Sequence, residues 1–328
     1  MGRSPLPFNR PGRDTSPVGR FVVVAGAASV AAVGILVASR MRRGRLAGRW
    51  ALEGIPGDPA TEIAPDVFLL GPWGRTQTNA YLVRDRSTWA LVDAGWANDA
   101  ARIQGAARSL LGLGQLPSAI LLSHAHPDHS GSARELAEAW GCPVYAHPAE
   151  LLIATGDFAA MQRYAGPLDR WLILPVMRAI GRRRREAILT EGSLAGFVRP
   201  LPPGGAIPGL EGWLWIHTPG HTPGHVAYVR AHDRVVLSGD ALLTLEVNTW
   251  SGILRQRQGL SGPPWYTTWD REVAIASITA IADVGPTVLA PGHGDPLSGP
   301  GTATAVDAFA DRIAGLPARN PIRRASDC

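Results

Sequence analysis

Three histidines and one aspartate lie within six consecutive positions of the run SHAHPDH, directly after the apolar segment Ala119–Leu122. That segment predicts a β-strand. A strand that ends in a tight loop can aim alternate side chains at one point. His124 and His126 are thereby placed to bind one cation, and Asp128 and His129 face a neighbouring position. Because neutral imidazole and carboxylate groups are good ligands for zinc and similar metals, the run predicts a metal site.

Three further segments place a histidine or an aspartate directly after a predicted strand. The turn TPGHTPGH contains His221 and His225, and its Pro-Gly pairs make tight turns that fix the direction of the side chains. The run SGD ends at Asp240, and the run PGHGD contains His293 between two glycines. The predicted strands that precede them cover residues 213–217, 235–238 and 287–290.

These motifs, taken in order after the run LVDAG at 91–95, resemble the metallo-β-lactamase superfamily, and the TPGHTPGH turn is most similar to its glyoxalase II-like branch. The similar region extends from about Val67 to Leu297, about 70% of the chain. The resemblance implies an α/β fold of the α+β kind, built as a four-layer αββα sandwich. It also implies a site for two metal ions at one edge of the facing sheets.

The resemblance also assigns the ligands. It implies two divalent metal ions, zinc in the first place, with iron or manganese as alternatives. His124, His126 and His221 would bind the first ion; Asp128, His129 and His293 would bind the second; and Asp240 would bridge them. As the catalytic residue, Asp128 would orient the attacking water and take its proton. Asp93 is expected to order the site without binding a metal, and His225 to do the same or to cap its turn.

The expected reaction is hydrolysis of a small-molecule ester, thioester or lactone. Members of the superfamily that hydrolyse antibiotics replace or omit the bridging carboxylate, whereas Asp240 is present here. Tyr266 follows Asp240 closely enough in sequence to line a substrate pocket. Three alternatives stay open: a persulfide dioxygenase with a single iron, a phosphodiesterase or nuclease that uses the run Arg182–Arg185, and a binding protein without activity.

The net charge of +5 is unevenly distributed along the chain. Residues 1–49 carry nine arginines and one acid, whereas the remaining residues carry 23 arginines and 26 acids. The main domain is therefore slightly acidic, which argues against nucleic acid as a partner.

The segment 21–39 contains 19 uncharged residues, just enough for a helix that crosses a bilayer. It predicts a single-pass protein of the cell membrane that contacts the membrane through this helix, and the flanking arginines slightly favour a cytoplasmic catalytic domain. A signal peptide and a translation start at Met41, which would leave the protein cytoplasmic, are the alternatives.

From position 67 onward, short apolar runs alternate with helical patterns, as expected of an α/β protein. The segment 155–212 interrupts this alternation and predicts a mostly helical insertion, either a lid or a packing helix with a solvated arginine face. The oligomeric state is left open. The predicted organisation is a basic arm at 1–20, a transmembrane helix at 21–39, a linker at 40–62, a catalytic domain at 63–316 that includes the insertion, and a tail at 317–328.

Overall fold

The computed structural model describes residues 60–315. Its strands are β1 (Thr61–Ala64), β2 (Val67–Trp73), β3 (Thr78–Asp85), β4 (Thr88–Val92), β5 (Ala119–Leu121), β6 (Val144–Ala146), β7 (Val198–Pro200), β8 (Ala206–Ile207), β9 (Leu210–His217), β10 (Val226–Arg230), β11 (Val235–Gly239), β12 (Leu243–Leu245), β13 (Gln258–Ser261), β14 (Val288–Pro291) and β15 (Leu297–Ser298). Its α-helices are α1 (Ala100–Leu111), α2 (Pro127–Ser130), α3 (Ala133–Trp140), α4 (Leu151–Ala154), α5 (Phe158–Arg163), α6 (Leu174–Ala179), α7 (Arg182–Glu191), α8 (Trp250–Arg255), α9 (Arg271–Val284) and α10 (Thr302–Ala314), with a 3₁₀ turn at Pro148–Glu150 and a π-helical turn at Asp169–Ile173.

The strands form two large mixed sheets. The first sheet has the order β1-β2-β3-β4-β5-β6-β7, and the second has the order β15-β14-β11-β10-β9-β8. The strands β12 and β13 form a separate hairpin. Central strands of the two large sheets are buried on both faces, as in β10, whose run Val226–Val229 is apolar and whose five residues are all buried. Such continuous apolar runs are expected where a sheet is covered on both sides.

Three apolar clusters separate four layers. Phe68 and Leu82 of the first sheet pack with Ile103 of α1 and Leu136 of α3. The opposite face of that sheet packs on the second sheet, for example through Leu121. The outer face of the second sheet then packs on α9 and α10. The predicted four-layer αββα arrangement is confirmed.

Strand direction brings several strand ends to one edge of each sheet. In the first sheet β4, β5 and β6 run parallel to one another. In the second sheet β9 and β11 are each antiparallel to β10, so they run parallel to each other, and β14 is parallel to β11. The carboxyl ends of parallel strands share an edge of the sheet. The segments that follow β4, β5, β9, β11 and β14 therefore start from common edges.

The predicted insertion at 155–212 is helical only in its first part. Its later residues contain β7, β8 and the start of β9, so the end of the predicted insertion belongs to the two sheets. β7 pairs in parallel with β6, and parallel neighbours require a long crossover connection. The helical segment between β6 and β7 is this crossover. The segment 241–270 contains the β12–β13 hairpin and α8.

The prediction of a single-pass membrane protein is corrected. Within residues 60–315, no helix is long and apolar enough to cross a membrane. The segment 21–39, on which the prediction depended, lies outside the described residues, as do the basic arm, the tail at 317–328 and most of the predicted linker.

Replacing Leu82 with alanine tests the packing of the first sheet on its helices. The Leu82 side chain is fully buried, so Leu82→Ala removes buried apolar surface and leaves a cavity. We expect the free energy of unfolding, measured by urea titration, to fall by about 2–5 kcal/mol. Leu113→Ala is the matched control, because Leu113 is 88% exposed, and its effect should stay within about 0.5 kcal/mol. Equal losses in both variants would contradict this packing.

Candidate metal centre

The strand ends of the two sheets bring the predicted ligands into one cluster. Within residues 60–315, three groups have potential ligand atoms that lie within 4.8 Å of one another. The groups are His124, His126 and His221; His124, His129 and Asp240; and Asp128, His129 and His293. All seven residues predicted to bind a metal belong to at least one group, and the shared members join the groups into one centre.

The first group consists of three imidazole rings packed edge to face. The ring centroids of His124 and His126 are 4.7 Å apart, and those of His126 and His221 are 4.6 Å apart. The third pair, His124 and His221, has a separation of 4.7 Å. His124 and His221 are buried and His126 is half-buried, so one side of this triangle is accessible.

The second group combines imidazole and carboxylate ligands. The Nε2 atom of His293 is 3.3 Å from Oδ2 of Asp128 and 3.4 Å from Nε2 of His129. Asp240 lies between the two groups. Its Oδ1 atom is 3.3 Å from Nε2 of His129, and its Oδ2 atom is 3.4 Å from Nε2 of both His221 and His293. This position is consistent with the predicted bridging role.

The cluster contains buried polar atoms that lack a partner. Nε2 of His124, Nε2 of His221 and Oδ1 of Asp240 have no hydrogen-bond partner within residues 60–315. A buried acceptor without a partner is costly, and nearly all such atoms in proteins are satisfied. A cation bound between these three residues would satisfy all of them. The donor set of imidazoles and carboxylates therefore fits divalent metals of the zinc type.

A hydrogen-bond network around Asp93 fixes which nitrogen of two histidines faces the cluster. Oδ2 of Asp93 is 2.9 Å from Nδ1 of His129 and 2.7 Å from Oγ of Ser123, which donates to it. Oγ of Ser123 is also 3.0 Å from Nδ1 of His124. Because the hydroxyl proton is already donated to Asp93, Nδ1–H of His124 must be the donor to Ser123. Both histidines therefore direct Nε2 toward the cluster as the atom that a metal would bind.

His221 and His293 are oriented in the same way by other partners. Nδ1 of His293 donates to the backbone carbonyl of Thr76 at 2.8 Å. Nδ1 of His221 is 3.4 Å from Oγ1 of Thr268, whose hydroxyl donates to the carbonyl of Pro264. In both histidines the Nδ1–H group is used outside the cluster, which leaves Nε2 as the ligand atom.

His225 lies beside the centre but does not offer a ligand atom. Its Nε2 atom accepts a hydrogen bond from the backbone N–H of Asp240 at 2.9 Å, and its Nδ1 atom is 2.8 Å from Oγ1 of Thr218. Burial lowers the pKa of His225 to about 3, so the ring is neutral at physiological pH. The neutral ring fixes the backbone of Asp240, as expected for a residue that orders the site.

The two groups differ in their charge when no metal is bound. Burial alone would lower the pKa of His293, but the neighbouring carboxylates of Asp240 and Asp128 raise that pKa to about 10. The same carboxylates raise the pKa of His129 well above its usual value despite its burial. Burial lowers the pKa of His124, and neighbouring imidazoles lower it further. The second group therefore holds protons that a metal must displace.

Glu150 is a functional residue that the sequence analysis missed. Its fully buried carboxylate accepts hydrogen bonds from the backbone N–H groups of Ala125 at 3.2 Å and Gly224 at 2.9 Å. It thereby joins the loop of the first two histidines to the loop of His221. Glu150 follows β6 in the run HPAE, the same strand-then-loop position that identified the other clusters, so that position could have indicated it.

Two residues of β3 fix the loop of His293. Nδ2 of Asn79 donates to the carbonyls of Pro291 and Gly294 at 3.0 and 2.7 Å, and the hydroxyl of Tyr81 donates to Pro291 at 2.7 Å. Gly292 is required in this loop, because a Cβ atom there would overlap Oδ1 of Asp240. No local sequence pattern distinguishes Asn79 and Tyr81 from ordinary strand residues.

The remaining histidines, His147, His217 and His232, lie outside the cluster. His147 and His217 stack on each other with ring centroids 4.1 Å apart and an interplanar angle of 9°. His232 is exposed beside Asp233 in the turn between β10 and β11. Tyr266 is half-buried near the centre, and burial together with the negative charges of Asp240 and Asp128 raises the pKa of its phenol.

Comparisons with known proteins agree with this geometry. Residues 73–293 match the family model described as the metallo-beta-lactamase superfamily. The chain is 34% identical over 243 residues to the probable metallo-hydrolase YflN of Bacillus subtilis, covering 73% of this chain and 88% of that protein.

Two solved structures share the fold. A beta-lactamase domain protein from Burkholderia ambifaria is 21% identical, with a TM-score of 0.53 and coverage of 83% of this chain and 80% of its own. The metallo-beta-lactamase family protein TTHA1429 from Thermus thermophilus is 23% identical, with a TM-score of 0.51 and coverage of 77% and 81%.

Replacing Asp93 with asparagine tests the network that orients the ligands. In the wild-type chain the carboxylate of Asp93 accepts hydrogen bonds from the surrounding donors. In Asp93→Asn an amide N–H₂ group faces some of them, so the hydrogen bonds that fix the tautomers of His124 and His129 are lost. We expect the affinity for Zn²⁺, measured by competition with a chromogenic chelator, to fall by roughly 10–100-fold. The control Glu211→Gln removes a carboxylate that is 74% exposed and should leave the affinity unchanged. Unchanged affinity in Asp93→Asn would contradict the role of this network.

Metal binding should release protons. At pH 8 the raised pKa of His293, about 10, keeps its ring protonated in the metal-free protein. Zn²⁺ must displace this proton, so we expect a release of at least about one proton per chain and an affinity that falls as the pH is lowered. Calorimetric titration of Zn²⁺ in buffers with different ionisation enthalpies measures the release. A binding enthalpy that is independent of the buffer would show that the ring is neutral.

Proposed function

The chain belongs to the metallo-β-lactamase superfamily, and from that membership we propose that it is a two-metal hydrolase of a small ester, thioester or lactone. The similarity to a probable metallo-hydrolase supports a metal-dependent enzyme.

One observation carries the proposal: two adjacent sets of ligand atoms share Asp240. The unpartnered Nε2 atoms of His124 and His221 lie on one side of it, and the group of Asp128, His129 and His293 lies on the other. A single cation beside His124 and His221 would leave the facing atoms of Asp128, His129 and His293 bonded only to one another and to Asp240. We therefore assign His124, His126 and His221 to one ion, Asp128, His129 and His293 to the other, and Asp240 to both.

The expected chemistry follows from this assignment. When bound, the two divalent cations supply Lewis acidity that polarises a substrate carbonyl and acidifies a water molecule. Asp240 is nearly fully buried, so it serves to hold the ions rather than to contact a substrate. The antibiotic-hydrolysing members of the superfamily replace or omit a carboxylate at this position, and its presence supports ester-type substrates.

Asp128 is the carboxylate of the centre that faces the substrate. Its side chain is 19% exposed, whereas those of Asp240 and His129 are almost completely buried. Burial alone would raise the pKa of Asp128, but His129 and His293 outweigh that effect and hold the pKa well below its usual range. The ionised carboxylate can accept a hydrogen bond from the attacking water and orient its lone pair toward the substrate carbonyl.

Tyr266 is placed to stabilise the negative charge that develops on the substrate. Its raised pKa keeps the phenol protonated throughout the physiological range, so its hydroxyl can donate a hydrogen bond. A donor beside the centre would stabilise the negative charge that develops on the substrate oxygen during hydrolysis. We assign Tyr266 this role together with the lining of the substrate pocket.

A parallel assay of several substrate classes tests the proposal. The zinc-loaded enzyme is assayed with 4-nitrophenyl acetate, a thioester, a γ-lactone, bis(4-nitrophenyl) phosphate and a chromogenic cephalosporin, and its metal content and oxygen consumption are measured alongside. We expect turnover of at least one ester, thioester or lactone that stops on chelation and returns with added metal. Asp128→Asn should lower kcat by roughly 10²–10⁴-fold.

The matched control is again Glu211→Gln, which should retain the activity of the unmodified chain. Selective turnover of the phosphodiester would replace the proposed reaction with phosphodiester hydrolysis. One iron per chain, together with oxygen consumption on a persulfide, would overturn the two-metal hydrolase and favour the dioxygenase alternative.

A further inference from the structure

A cleft lies next to the metal centre, between the crossover segment and the chain that follows β13. Its volume is about 290 Å³, at the lower end of the range for sites that bind small molecules. Its polar and aromatic lining side chains are those of Arg170, Trp171, Trp265, Thr268, Trp269 and Arg271. Three indole rings and two guanidinium groups thus surround a space that fits one planar group.

The two walls of the cleft are held together by direct contacts. The backbone N–H of Leu168 donates to the carbonyl of Tyr266 at 2.7 Å. The rings of Tyr164 and Trp269 pack edge to face, with centroids 5.2 Å apart. Gly166 lies so close to Thr267 that a Cβ atom would not fit between them. The cleft is therefore a preformed feature of the described chain.

The wall formed by the chain that follows β13 is hydrogen-bonded to a residue of the metal centre. Thr268 lines the cleft, and its Oγ1 atom is 3.4 Å from Nδ1 of His221. The backbone N–H of Trp269 donates to the carbonyl of His221 at 3.1 Å. A molecule in the cleft thus lies one side chain away from a proposed metal ligand. Part of a substrate can occupy the cleft while its reactive bond is at the metals.

The charges of the cleft are those of an anion site. Within residues 60–315 neither Arg170 nor Arg271 forms an ion pair, and no acidic residue lines the cleft. The adjacent acid Asp270 is engaged elsewhere, since its carboxylate accepts from the backbone N–H groups of residues 272 and 273. A guanidinium group without a carboxylate partner is suited to bind a carboxylate or phosphate through two parallel hydrogen bonds.

The aromatic residues point to a flat group beside that anion. Trp171 is 78% exposed, so the face of its indole ring is accessible to a molecule in the cleft. It belongs to the π-helical turn Asp169–Ile173, and single turns of this kind occur often at functional sites. Indole rings provide a rigid face on which an aromatic ring can stack.

We propose that this cleft binds a flat, negatively charged part of the substrate, so that the substrate class is an aromatic carboxylate esterified or thioesterified at another position. The inference rests on the proposed hydrolase function for the position of the reactive bond. The anion site itself rests only on the residues of the cleft. The two can therefore be tested separately.

A binding measurement tests the anion site. The probes are 2-naphthoate and its neutral analogue 2-naphthamide, titrated calorimetrically into the zinc-loaded protein. We expect naphthoate to bind at least about tenfold more tightly than naphthamide, and the Arg170→Ala/Arg271→Ala double variant to lose most of that difference. The matched control is Arg183→Ala/Arg184→Ala, which removes two exposed arginines of α7 and should keep the preference. Naphthoate binding that persists in the cleft variant would place the anion on the zinc ions and overturn the proposal.

A kinetic measurement links the cleft to turnover. The substrates are 4-acetoxybenzoate and its neutral amide, 4-acetoxybenzamide, which differ only in charge at the remote end. We expect the cleft variant to raise KM about tenfold for the anionic ester with little change in kcat, and to leave the neutral ester unaffected. Naphthoate binding without turnover of either ester, or of any ester, thioester or lactone in the parallel assay, would overturn the hydrolase function but retain the anion site. Turnover of both esters with the same KM would overturn the anion site but retain the hydrolase function.

Discussion

Asp93 accepts three hydrogen bonds at the end of β4, from the backbone N–H and the hydroxyl of Ser123 and from the ring of His129. Hydrogen bonds to an ionised carboxylate are worth about 1.5–3 kcal/mol each when they are buried. The position is itself unusual, because Asp93 has a φ angle of +58°, in the left-handed region. The geometry of the whole first loop depends on this carboxylate, since it determines which nitrogen of His124 and His129 is free to bind a metal.

The centre also requires that the two separate sheets keep a fixed position relative to each other. The hydrogen bonds between strands lie within each sheet, whereas the proposed ligands come from the edges of both sheets. Two buried tyrosines form the connection: the hydroxyl of Tyr228 donates to Leu122 of the first sheet, and that of Tyr81 donates to Pro291 of the second. Each bond joins a strand of one sheet to the backbone just before a ligand loop of the other. The core between the sheets thus fixes the distance between the two halves of the centre.

The sequence predicted most of the architecture and the residues that the structure brings into one cluster, because both depend on local patterns. Short apolar runs that end in His or Asp were enough to single out His124, Asp240 and His293 as candidate ligands. The missed residues act over long sequence distances. Asn79 bonds to the loop of His293 from more than two hundred residues away, and no pattern near it records that pairing. Glu150 could have been predicted from the sequence, because it follows a strand in the same way as the other clusters.

The predicted insertion at 155–212 shows what the sequence could not predict about strand pairing. Its composition differs from that of the strands around it, so it resembled an addition to the fold, and nothing in its end residues indicated that Val198–Pro200 would pair with β6. Pairing is decided by which strand lies at the sheet edge, a property of the whole chain. The cleft residues were missed for a related reason, since Trp171 and Trp265 lie far apart in the sequence and come together only in the folded chain.

The parallel pairing of β6 with β7 has an evolutionary consequence. Both strands are only three residues long, so the chain leaves the sheet after β6 and re-enters it at β7 across a gap of about 10 Å. Closing a longer or shorter excursion between two such points changes the loop-closure entropy only slowly with length. Beyond Glu150, which joins two loops of the centre, the segment between these strands can therefore be exchanged, lengthened or trimmed by recombination while the strands on either side keep their partners. A lineage with this topology can explore new substrates by replacing one exchangeable cassette and inherit its metal chemistry intact.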